Sequence, residues 1–185
     1  GGGSIGSELF RQLINYKPAK VILLDNSEFN LYQINNEISK KNTKINFECI
    51  LADLSDTDFI DDLFKKNKIN IVFHAAAYKH VPLLEENIFY AIKNNIFTTL
   101  NLINIAIENH VDNFTYISTD KAVRPTNIMG ATKRFSEIII QSFNEKFASD
   151  NIKFTIVRFG NVFASRGSAV PLFVSQVENG GPVTI

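Results

Sequence analysis

Short apolar runs alternate with amphipathic segments along the chain, and this alternation limits the fold more than any other feature. Each run is four or five residues long and is bounded by polar residues, as expected for strands that are buried on both faces. The segments between the runs carry apolar residues at helical spacing. Strands that alternate with helices form a parallel sheet with helices on both faces, so we predict an α/β fold with a doubly wound parallel sheet. The predicted strands span 21–24, 47–51, 69–73, 114–118 and 154–158, and the predicted helices span 8–16, 29–38, 59–64, 88–108, 129–147 and 170–177.

The composition and the charge of the chain exclude several classes of protein. Its 185 residues are within the size of one domain, and 45% hydrophobic residues is an ordinary value for a globular protein. Nineteen basic and nineteen acidic residues cancel, so the chain lacks a basic stripe and we expect no nucleic-acid partner. The single cysteine, Cys49, cannot form an internal disulfide, and no Cys/His cluster has zinc spacing. No apolar run approaches the ~20 residues that cross a bilayer.

A glycine-rich opening comes directly before the first predicted helix. Gly1, Gly3 and Gly6 fit the pattern G-x-G-x-x-G, and with one more glycine upstream Gly3 and Gly6 would fit G-x-x-G-x-x-G. Glycines let the backbone approach a pyrophosphate, and the free N–H groups of the following helix bind that anion. Asp25 lies 19 residues after Gly6, at the end of the next strand, where a carboxylate meets an adenosine ribose. The opening therefore predicts a dinucleotide site. The alternative is a structural glycine turn with a surface aspartate.

Two aspartates bear on which dinucleotide binds and how. A carboxylate at Asp25 accepts hydrogen bonds from a 2′-hydroxyl and repels a 2′-phosphate, which favours NAD over NADP. Asp53 follows the second predicted strand, and together with Leu54 it can hold the edge and the face of the adenine. Asp53 can equally cap the helix that is predicted after it.

Both ends of the sequence look cut. A glycine loop of this kind normally follows a buried strand, and nothing precedes it here, while the last residues form an apolar run without a closing element. We expect residues 1–185 to be a Rossmann-type NAD-binding catalytic domain that lacks its first strand and most of its C-terminal substrate region.

A second cluster, 118–121 (Ser-Thr-Asp-Lys), follows the fourth predicted strand. Met129 and Lys133 are four residues apart on a predicted helix, so they share one face. In this register they resemble the Tyr-x-x-x-Lys pair of the short-chain dehydrogenase/reductase family, with Met129 in place of the tyrosine. A thioether cannot donate a proton, which argues against a reductase that uses a tyrosine phenol. The hydroxyls of Ser118 and Thr119 can bond a substrate oxygen.

Four segments carry a more specific resemblance. They resemble the extended short-chain dehydrogenases of polysaccharide biosynthesis, and among these the UDP-N-acetylglucosamine 4,6-dehydratases, over almost the whole chain. The methionine at position 129 resembles the long, membrane-anchored branch, whereas the shorter branch keeps the tyrosine. The resemblance implies a domain at the cytoplasmic face, with anchoring in the inner membrane through segments absent from this chain. The four segments are 3–8 (GSIGSE), 74–83 (HAAAYKHVPL), 118–122 (STDKA) and 158–162 (RFGNV).

The resemblance implies a redox-neutral cycle on a UDP-N-acetylhexosamine. Sugar C4 is oxidised transiently by NAD, C5 loses a proton, C6 loses its hydroxyl as water, and hydride returns to C6. Lys121 would be the C5 base, because Lys133 and the oxidised nicotinamide are nearby cations that favour its neutral form. Asp120 would protonate the departing hydroxyl by relaying a proton within the pair. Thr119 would bond the C4 oxygen. Without the resemblance, Asp120 and Lys121 would be a turn cap and a solvated lysine.

The expected site residues fall into three groups. A lone histidine such as His80 is as often structural as functional, whereas an arginine on a glycine-bounded loop suits a pyrophosphate. The resemblance gives Asn95 a role in ordering the strand that carries the active site. No metal ligands are expected. The catalytic group is Thr119, Asp120, Lys121 and Lys133, with Met129 at the tyrosine position; the cofactor group is Gly1, Gly3, Ser4, Ile5, Gly6, Asp25, Asp53, Leu54, Ala75, Ala76, Ala77, Asn95 and Lys133; the substrate group is Lys79, His80, Asn161, Ser165 and Arg166.

Two other functions stay open at this point. A sugar-nucleotide C4 epimerase removes and returns hydride at C4 but needs no C5 base, so the Asp120-Lys121 pair separates it from a dehydratase. A non-catalytic, dinucleotide-binding scaffold would explain the absent tyrosine. The sequence also leaves the formation of a homo-oligomer open.

Overall fold

The computed structural model describes residues 1–40, 45–147, 151–160, 162 and 169–182. Within these ranges, strands and helices alternate as the sequence predicts, and every predicted strand is present to within two residues at either end. The strands are β1 (Val21–Asp25), β2 (Phe47–Leu51), β3 (Ile71–His74), β4 (Asn113–Thr119) and β5 (Lys153–Phe159). The helices are α1 (Ser4–Leu13), α2 (Glu28–Lys40), α3 (Thr57–Asn67), α4 (Val81–Glu86), α5 (Ile88–Ile92), α6 (Thr98–Glu108), α7 (Ile128–Lys146) and α8 (Ala169–Glu178).

All the strand pairs are parallel, which confirms the predicted α/β class. Strand β1 pairs with β2, and β3, β4 and β5 pair in that order. In the part of the chain that the structure describes, the strands therefore form two hydrogen-bonded groups rather than one. On β4 and β5, Ser118 lies opposite Arg158, and Thr119 lies opposite Phe159. This register brings the ends of β4 and β5 together at one edge of the sheet.

Helices pack against the sheets through two apolar cores. Leu23 of β1 is buried with Phe10 of α1 and Ile34 of α2. The neighbouring Leu24 packs on the second core, where Phe114 of β4 meets Ile103 of α6. Because successive strand residues point to opposite faces, β1 is covered on both sides, as a doubly wound sheet requires.

The long helix predicted over 88–108 is interrupted. A single π-helical turn, Lys93–Phe97, separates α5 from α6. The extra residue in the turn changes the helical register, and of the predicted apolar stripe (Ile92, Ile96, Leu100, Ile103, Ile107) only Ile103 is fully buried. The turn instead buries a polar side chain, Asn95. Apolar spacing alone could not reveal the change, because a π turn preserves the local apolar composition.

Two short helical segments were not predicted from the sequence. Helix α4 begins after His80 with a proline in its first turn, where the missing N–H costs no hydrogen bond. A 3₁₀ turn, Asp120–Ala122, follows β4 directly. Both segments are shorter than the windows in which helical periodicity can be seen.

Candidate active site

A cavity of about 950 Å³ lies at the carboxyl ends of the strands. Residues that follow each of the five strands contribute to its wall, among them Asp25, Asp53, Ala75, Thr119 and Gly160. This is the edge of an open parallel sheet where ligands bind. The turns after separate strands therefore converge on one site, as the sequence predicts.

The glycine loop forms one end of the cavity, with Gly1, Gly3 and Gly6 in its wall. A Cβ atom on Gly6 would lie 2.2 Å from the carbonyl oxygen of Gly1, so only glycine permits this close approach. A Cβ atom on Gly3 would meet nothing within 4 Å. Gly3 is the N-cap of α1 and supplies no side-chain cap, and Ser4 and Ile5 of the first helical turn also line the cavity. The N-terminus of a ten-residue helix thus points its positive dipole end at the cavity.

Asp25 ties the glycine loop to the end of β1. Its carboxylate accepts hydrogen bonds from the N–H of Gly2 at 2.8 Å and from the N–H of Ser27 at 2.9 Å, and it contacts the amino group of Gly1. Burial raises the pKa of Asp25, whereas the hydrogen bonds from the backbone N–H groups of Ser27 and Gly2 lower it. Asp25 is therefore an ionised acceptor in the cavity wall, beside the loop that would hold a pyrophosphate.

Asp53 and Leu54 both line the cavity. The carboxylate of Asp53 accepts the N–H of Ser55 at 2.8 Å, which is the main cause of its lowered pKa. Helix α3 is capped by a different residue, Asp56, whose carboxylate accepts the N–H of Phe59 at 3.2 Å. The alternative that Asp53 caps this helix is therefore wrong.

Asn95 lies behind the cavity wall and does not line it. Its side chain is 1% exposed, accepts the N–H of Tyr78 at 2.8 Å and donates to the carbonyl oxygen of Tyr78 at 3.1 Å. It also donates to the hydroxyl of Thr132 on α7 at 3.0 Å. Asn95 thus fastens the loop that follows β3 to helix α7. The alanines of that loop, Ala75, Ala76 and Ala77, line the cavity, and their contact with the cofactor stays a prediction.

Lys133 and Met129 reach the cavity from the same face of α7. Lys133 is 7% exposed, and its Nζ atom donates to the carbonyl oxygen of Ile117 at 2.8 Å. Nζ also lies 4.4 Å from the ring centre of Tyr116. Burial lowers the pKa of Lys133 to about 8, against the opposing effect of Glu137. At neutral pH the side chain is a buried cation beside the space that the missing tyrosine would occupy.

The 3₁₀ turn after β4 presents Thr119 and Lys121 to the cavity. The carboxylate of Asp120 lies 3.5 Å from Nζ of Lys121 and accepts the hydroxyl of Thr119 at 2.9 Å. This hydrogen bond is the main cause of the lowered pKa of Asp120. Asp120 is exposed and lies beside Gly160, which belongs to the cavity wall, rather than in the wall itself. The adjacent acid and base therefore form an ion pair at the rim of the cavity.

The hydroxyl of Ser118 has a partner inside the protein, although Ser118 also lines the cavity. It donates to the carboxylate of Glu137 at 2.6 Å inside the protein. Glu137 is 0% exposed and also accepts hydrogen bonds from Arg158 and Arg134. Sequence reasoning missed Glu137, although it stands four residues after Lys133 on the buried face of α7. Its position in that stripe was the available signal.

A tyrosine elsewhere in the fold could in principle supply the phenol that position 129 lacks. Tyr116 is adjacent to Lys133, but it is fully buried and does not line the cavity. Burial raises its pKa to about 12. Tyr78 and Tyr90 do line the cavity, and their place there depends on the fold rather than on spacing from Lys133.

The predicted substrate residues are only partly described. Lys79 and His80 line the cavity, and His80 is also the N-cap residue of α4. Asn161, Ser165 and Arg166 lie outside the described residues. Among the described residues there is no group of His, Cys, Asp and Glu that could hold a metal ion. None of the described helices combines the length and the hydropathy that a bilayer crossing requires.

Comparison with known proteins assigns the family. The family model described as "Polysaccharide biosynthesis protein" matches residues 1–185. The chain belongs to this family. The resemblance to the extended short-chain dehydrogenases of polysaccharide biosynthesis is thereby confirmed.

Individual relatives agree with this assignment. The capsular polysaccharide biosynthesis protein CapD of Staphylococcus aureus is 50% identical over 187 residues, which are 100% of this chain and 31% of CapD. A UDP-N-acetylglucosamine 4,6-dehydratase (inverting) of Campylobacter jejuni is 35% identical over 195 residues, which are 100% of this chain and 54% of that protein. A UDP-glucose 4-epimerase of Rickettsia bellii is similarly related, at 34% identity over 100% of this chain and 54% of its own. The chain thus spans about a third to a half of the curated relatives that it matches.

A solved structure has the same fold. The Bacillus thuringiensis protein Pen superposes with a TM-score of 0.92 at 36% identity, over 100% of this chain and 57% of that chain. The arrangement of the strands and helices is therefore shared with an experimentally determined structure.

Proposed function

We propose that this chain is the catalytic region of a sugar-nucleotide 4,6-dehydratase that converts UDP-N-acetylglucosamine to a UDP-4-keto-6-deoxy sugar. The observation that carries the proposal is the Asp120–Lys121 pair, 3.5 Å apart, at the rim of a cavity that begins at the glycine loop. An acid and a base at the same site are what an elimination across C5 and C6 requires. Relatives that bear the dehydratase name support the substrate class.

The residues present fit a nicotinamide dinucleotide. The glycine loop has no room for a Cβ atom at Gly6, and the N-terminus of α1 faces the cavity. The carboxylate of Asp25 lies beside both. These features suit a pyrophosphate and an adenosine ribose. The carboxylate favours NAD over NADP, because a 2′-phosphate would meet its negative charge. When bound, the dinucleotide supplies a hydride acceptor for sugar C4 and a donor for C6.

The residues around the 3₁₀ turn supply the proton transfers. Transfer of a proton from Lys121 to Asp120 within the ion pair leaves Lys121 neutral, and Lys121 then takes the proton from C5, which the ketone at C4 makes acidic. The hydroxyl at C6 leaves as water, with its proton delivered through the Asp120–Lys121 pair. Thr119 lies in the cavity wall and orients the C4 oxygen, whose proton leaves toward solvent along the hydrogen bond from the Thr119 hydroxyl to exposed Asp120. Lys133, a cation at neutral pH, holds the nicotinamide ribose and stabilises the alkoxide character of the oxygen at C4.

Met129 sets this proposal apart from reactions that depend on a tyrosine. Its thioether lines the cavity on the face of α7 that carries Lys133, and it has no proton to donate. The acid–base work therefore falls to Thr119, Asp120 and Lys121. Lys79, His80 and the residues 161, 165 and 166 are proposed to contact the UDP-sugar.

A C4 epimerase is the second candidate, because relatives with that name match the chain. Epimerisation at C4 leaves the C5–H and the C6 hydroxyl intact, so it gives the Asp120–Lys121 pair no task. The presence of this pair at the cavity rim favours the dehydratase.

The test uses the intact protein, UDP-N-acetylglucosamine and deuterated water, with the product read by mass spectrometry and NMR. The proposal expects loss of water and deuterium at C5. Formation of UDP-N-acetylgalactosamine without a keto sugar would show the epimerase instead. Lys121→Met should lower kcat by roughly 10²–10⁴-fold, the usual range for loss of a general base. Lys66→Met, which removes an exposed lysine of α3, serves as the control. No activity in either protein would support a scaffold.

The expectations that lie outside this chain stay predictions. They are anchoring of the longer protein in the inner membrane, a catalytic region at the cytoplasmic face, and a homo-oligomer. Fractionation of the intact protein and its mass in solution would test them.

A further inference from the structure

A buried carboxylate that does not line the cavity joins three elements beneath the reacting turn. Glu137 of α7 is 0% exposed. Its Oε1 atom accepts the hydroxyl of Ser118 on β4 at 2.6 Å and Nε of Arg158 on β5 at 2.8 Å. Its Oε2 atom accepts Nη2 of Arg158 at 2.6 Å and Nη1 of Arg134 at 3.0 Å. The bidentate arginine contact and the two other donors occupy all four lone-pair directions of the carboxylate.

These contacts hold the last positions of β4 before the reacting turn begins. Ser118 lies opposite Arg158 across the β4–β5 ladder, and Glu137 bridges both. One residue earlier, the carbonyl oxygen of Ile117 accepts Nζ of Lys133. Helix α7 therefore holds two consecutive residues of β4 through two side chains one turn apart. The next residues along the chain are Thr119, Asp120 and Lys121.

The energetic cost of this arrangement points to a role other than general stability. Burial raises the pKa of Glu137, and hydrogen bonds from Arg158, Ser118 and Arg134 outweigh burial and bring the pKa to about 2. The side chain is thus ionised at neutral pH. A buried ion pair gains little over well-packed apolar side chains, because desolvation offsets the Coulomb attraction. What apolar packing cannot supply is a fixed direction for the Ser118 hydroxyl and for the strand end above it.

We propose that Glu137 is a positioning residue, which holds the end of β4 through Ser118 and Arg158 so that Thr119 and Lys121 face the cavity. The proposal rests on the proposed function for the identity of the reaction. It also makes a claim about geometry that holds whatever the reaction is.

Three variants of the intact protein test this role. Ser118→Ala removes the link to β4 and leaves the Glu137–Arg158 pair in place, so the protein should melt within a few degrees of the wild type. We expect its kcat to fall about tenfold, with KM for the UDP-sugar changed less than twofold. Glu137→Gln should lower kcat about 100-fold and also lower the melting temperature, because two arginines lose their charge partner. Glu145→Gln, an exposed glutamate on the same helix, should change neither quantity.

A second readout does not depend on activity. Lysines methylated with ¹³C give one NMR signal each, and the signal of Lys121 is identified by its loss in Lys121→Met. The proposal expects this signal to move in Ser118→Ala and in Glu137→Gln but not in Glu145→Gln. An unmoved signal together with wild-type kcat in Ser118→Ala would overturn it. So would full recovery of Glu137→Gln activity at a temperature where that variant is fully folded. If the wild type makes no keto sugar, the proposed function fails, and the shift of the Lys121 signal still decides the role of Glu137.

Discussion

The two ends of the cavity hold charge by different physical means. At the glycine loop, the donors are backbone N–H groups, and close approach depends on the absence of side chains: Gly6 has no room for a Cβ atom, and Asp25 is bound by the N–H groups of Gly2 and Ser27. At the end of β4, the charged groups are long side chains with partners inside the protein. Lys133 donates to the carbonyl oxygen of Ile117, and Glu137 accepts the hydroxyl of Ser118.

The two ends of the cavity therefore tolerate different kinds of substitution. The loop end is sensitive to added volume, because its geometry is a close contact between backbone segments. The β4 end is sensitive to lost charge, because Lys133 is proposed to act in the reaction and because removal of the charge of Glu137 would leave two arginines without their partner. Substitutions that separate volume from charge should therefore affect the two ends in opposite ways.

The largest effect is expected from Lys133→Met, which keeps the length of the side chain and removes its charge. We expect kcat to fall roughly 10²–10⁴-fold, as for loss of a group that acts in the transition state. Stability should rise, because the folded protein lowers the pKa of Lys133 from 10.5 to about 8 and so bears a cost on the order of 3 kcal/mol in burying the cation.

The stability increase expected for Lys133→Met depends on pH, because the folded and unfolded wild-type chains bind the Lys133 proton with different affinity. Between pH 8 and 10.5 the unfolded chain binds the lysine proton more tightly than the folded chain, so wild-type stability rises with pH there. The stability advantage of Lys133→Met should therefore be full below pH 8 and shrink as the pH approaches 10.5. Urea unfolding at pH 7 and pH 10 measures it, with Lys66→Met as the control. An advantage that is independent of pH would contradict this account.

At the loop end, Gly6→Ala should have the next largest effect. Its Cβ atom would lie 2.2 Å from the Gly1 oxygen, so we expect a loss of about 1–3 kcal/mol in stability and at least a 100-fold loss of NAD affinity. Gly3→Ala is the matched control for stability, because its Cβ atom meets nothing within 4 Å. It should melt like the wild type and weaken only NAD binding. Equal melting temperatures for Gly6→Ala and Gly3→Ala would contradict the claim that the loop end is sensitive to added volume.

A smaller effect is expected from Asp25→Asn, which changes charge at the end where volume matters most. The amide keeps one acceptor for backbone N–H groups but loses the charge-assisted hydrogen bonds, which are worth about 1.5–3 kcal/mol. NAD affinity measured by calorimetry should fall about tenfold or somewhat more, while the ratio of NAD to NADP affinity falls. Asp58→Asn, on the exposed side of α3, should leave both unchanged. An unchanged NAD/NADP ratio would rule out the assigned contact with the ribose.

The smallest effect is expected from Gly130→Ala, which adds volume at the end where charge matters most. A Cβ atom on Gly130 would lie 2.5 Å from the carbonyl oxygen of Lys121, so α7 and the 3₁₀ turn must shift apart. We expect kcat to fall a few fold and NAD affinity to stay constant. Ala131→Ser, one residue along on the exposed side, is the control. A loss of NAD affinity that exceeds the loss of kcat would show that the two ends are not separable.

The elements of the fold were largely predictable, whereas the packing between them was not. Strand β1 contains the continuous apolar run 21–24, and the other predicted strands are rich in apolar residues, so local composition distinguishes them from turns. The π turn was missed because the backbone changes register without a change in composition. Helix α4 was missed because six residues are too few to show a period.

The positions of the site residues along the chain were likewise predictable, whereas their contacts were not. The glycine loop, Asp25 and Asp53 stand at fixed distances from predicted strands, so their convergence followed from the rule that ligands bind at the carboxyl edge of a parallel sheet. The assignment of Asp53 or Asp56 as the helix cap could not be made from spacing, since both precede α3 closely. The choice depended on which carboxylate the first turn of the helix approaches.

The order of residues was sufficient to predict which side chains belong to the carboxyl edge of the sheet, because strand ends and glycine turns are local properties of the chain. Only the folded molecule revealed which of those groups face the cavity and which are bound inside. Ser118 and Thr119 are neighbours in the chain and both line the cavity, but the Ser118 hydroxyl donates to buried Glu137 whereas the Thr119 hydroxyl donates to exposed Asp120. The partner of a buried charge is chosen by packing between segments that are distant in the chain, and no local pattern encodes that choice.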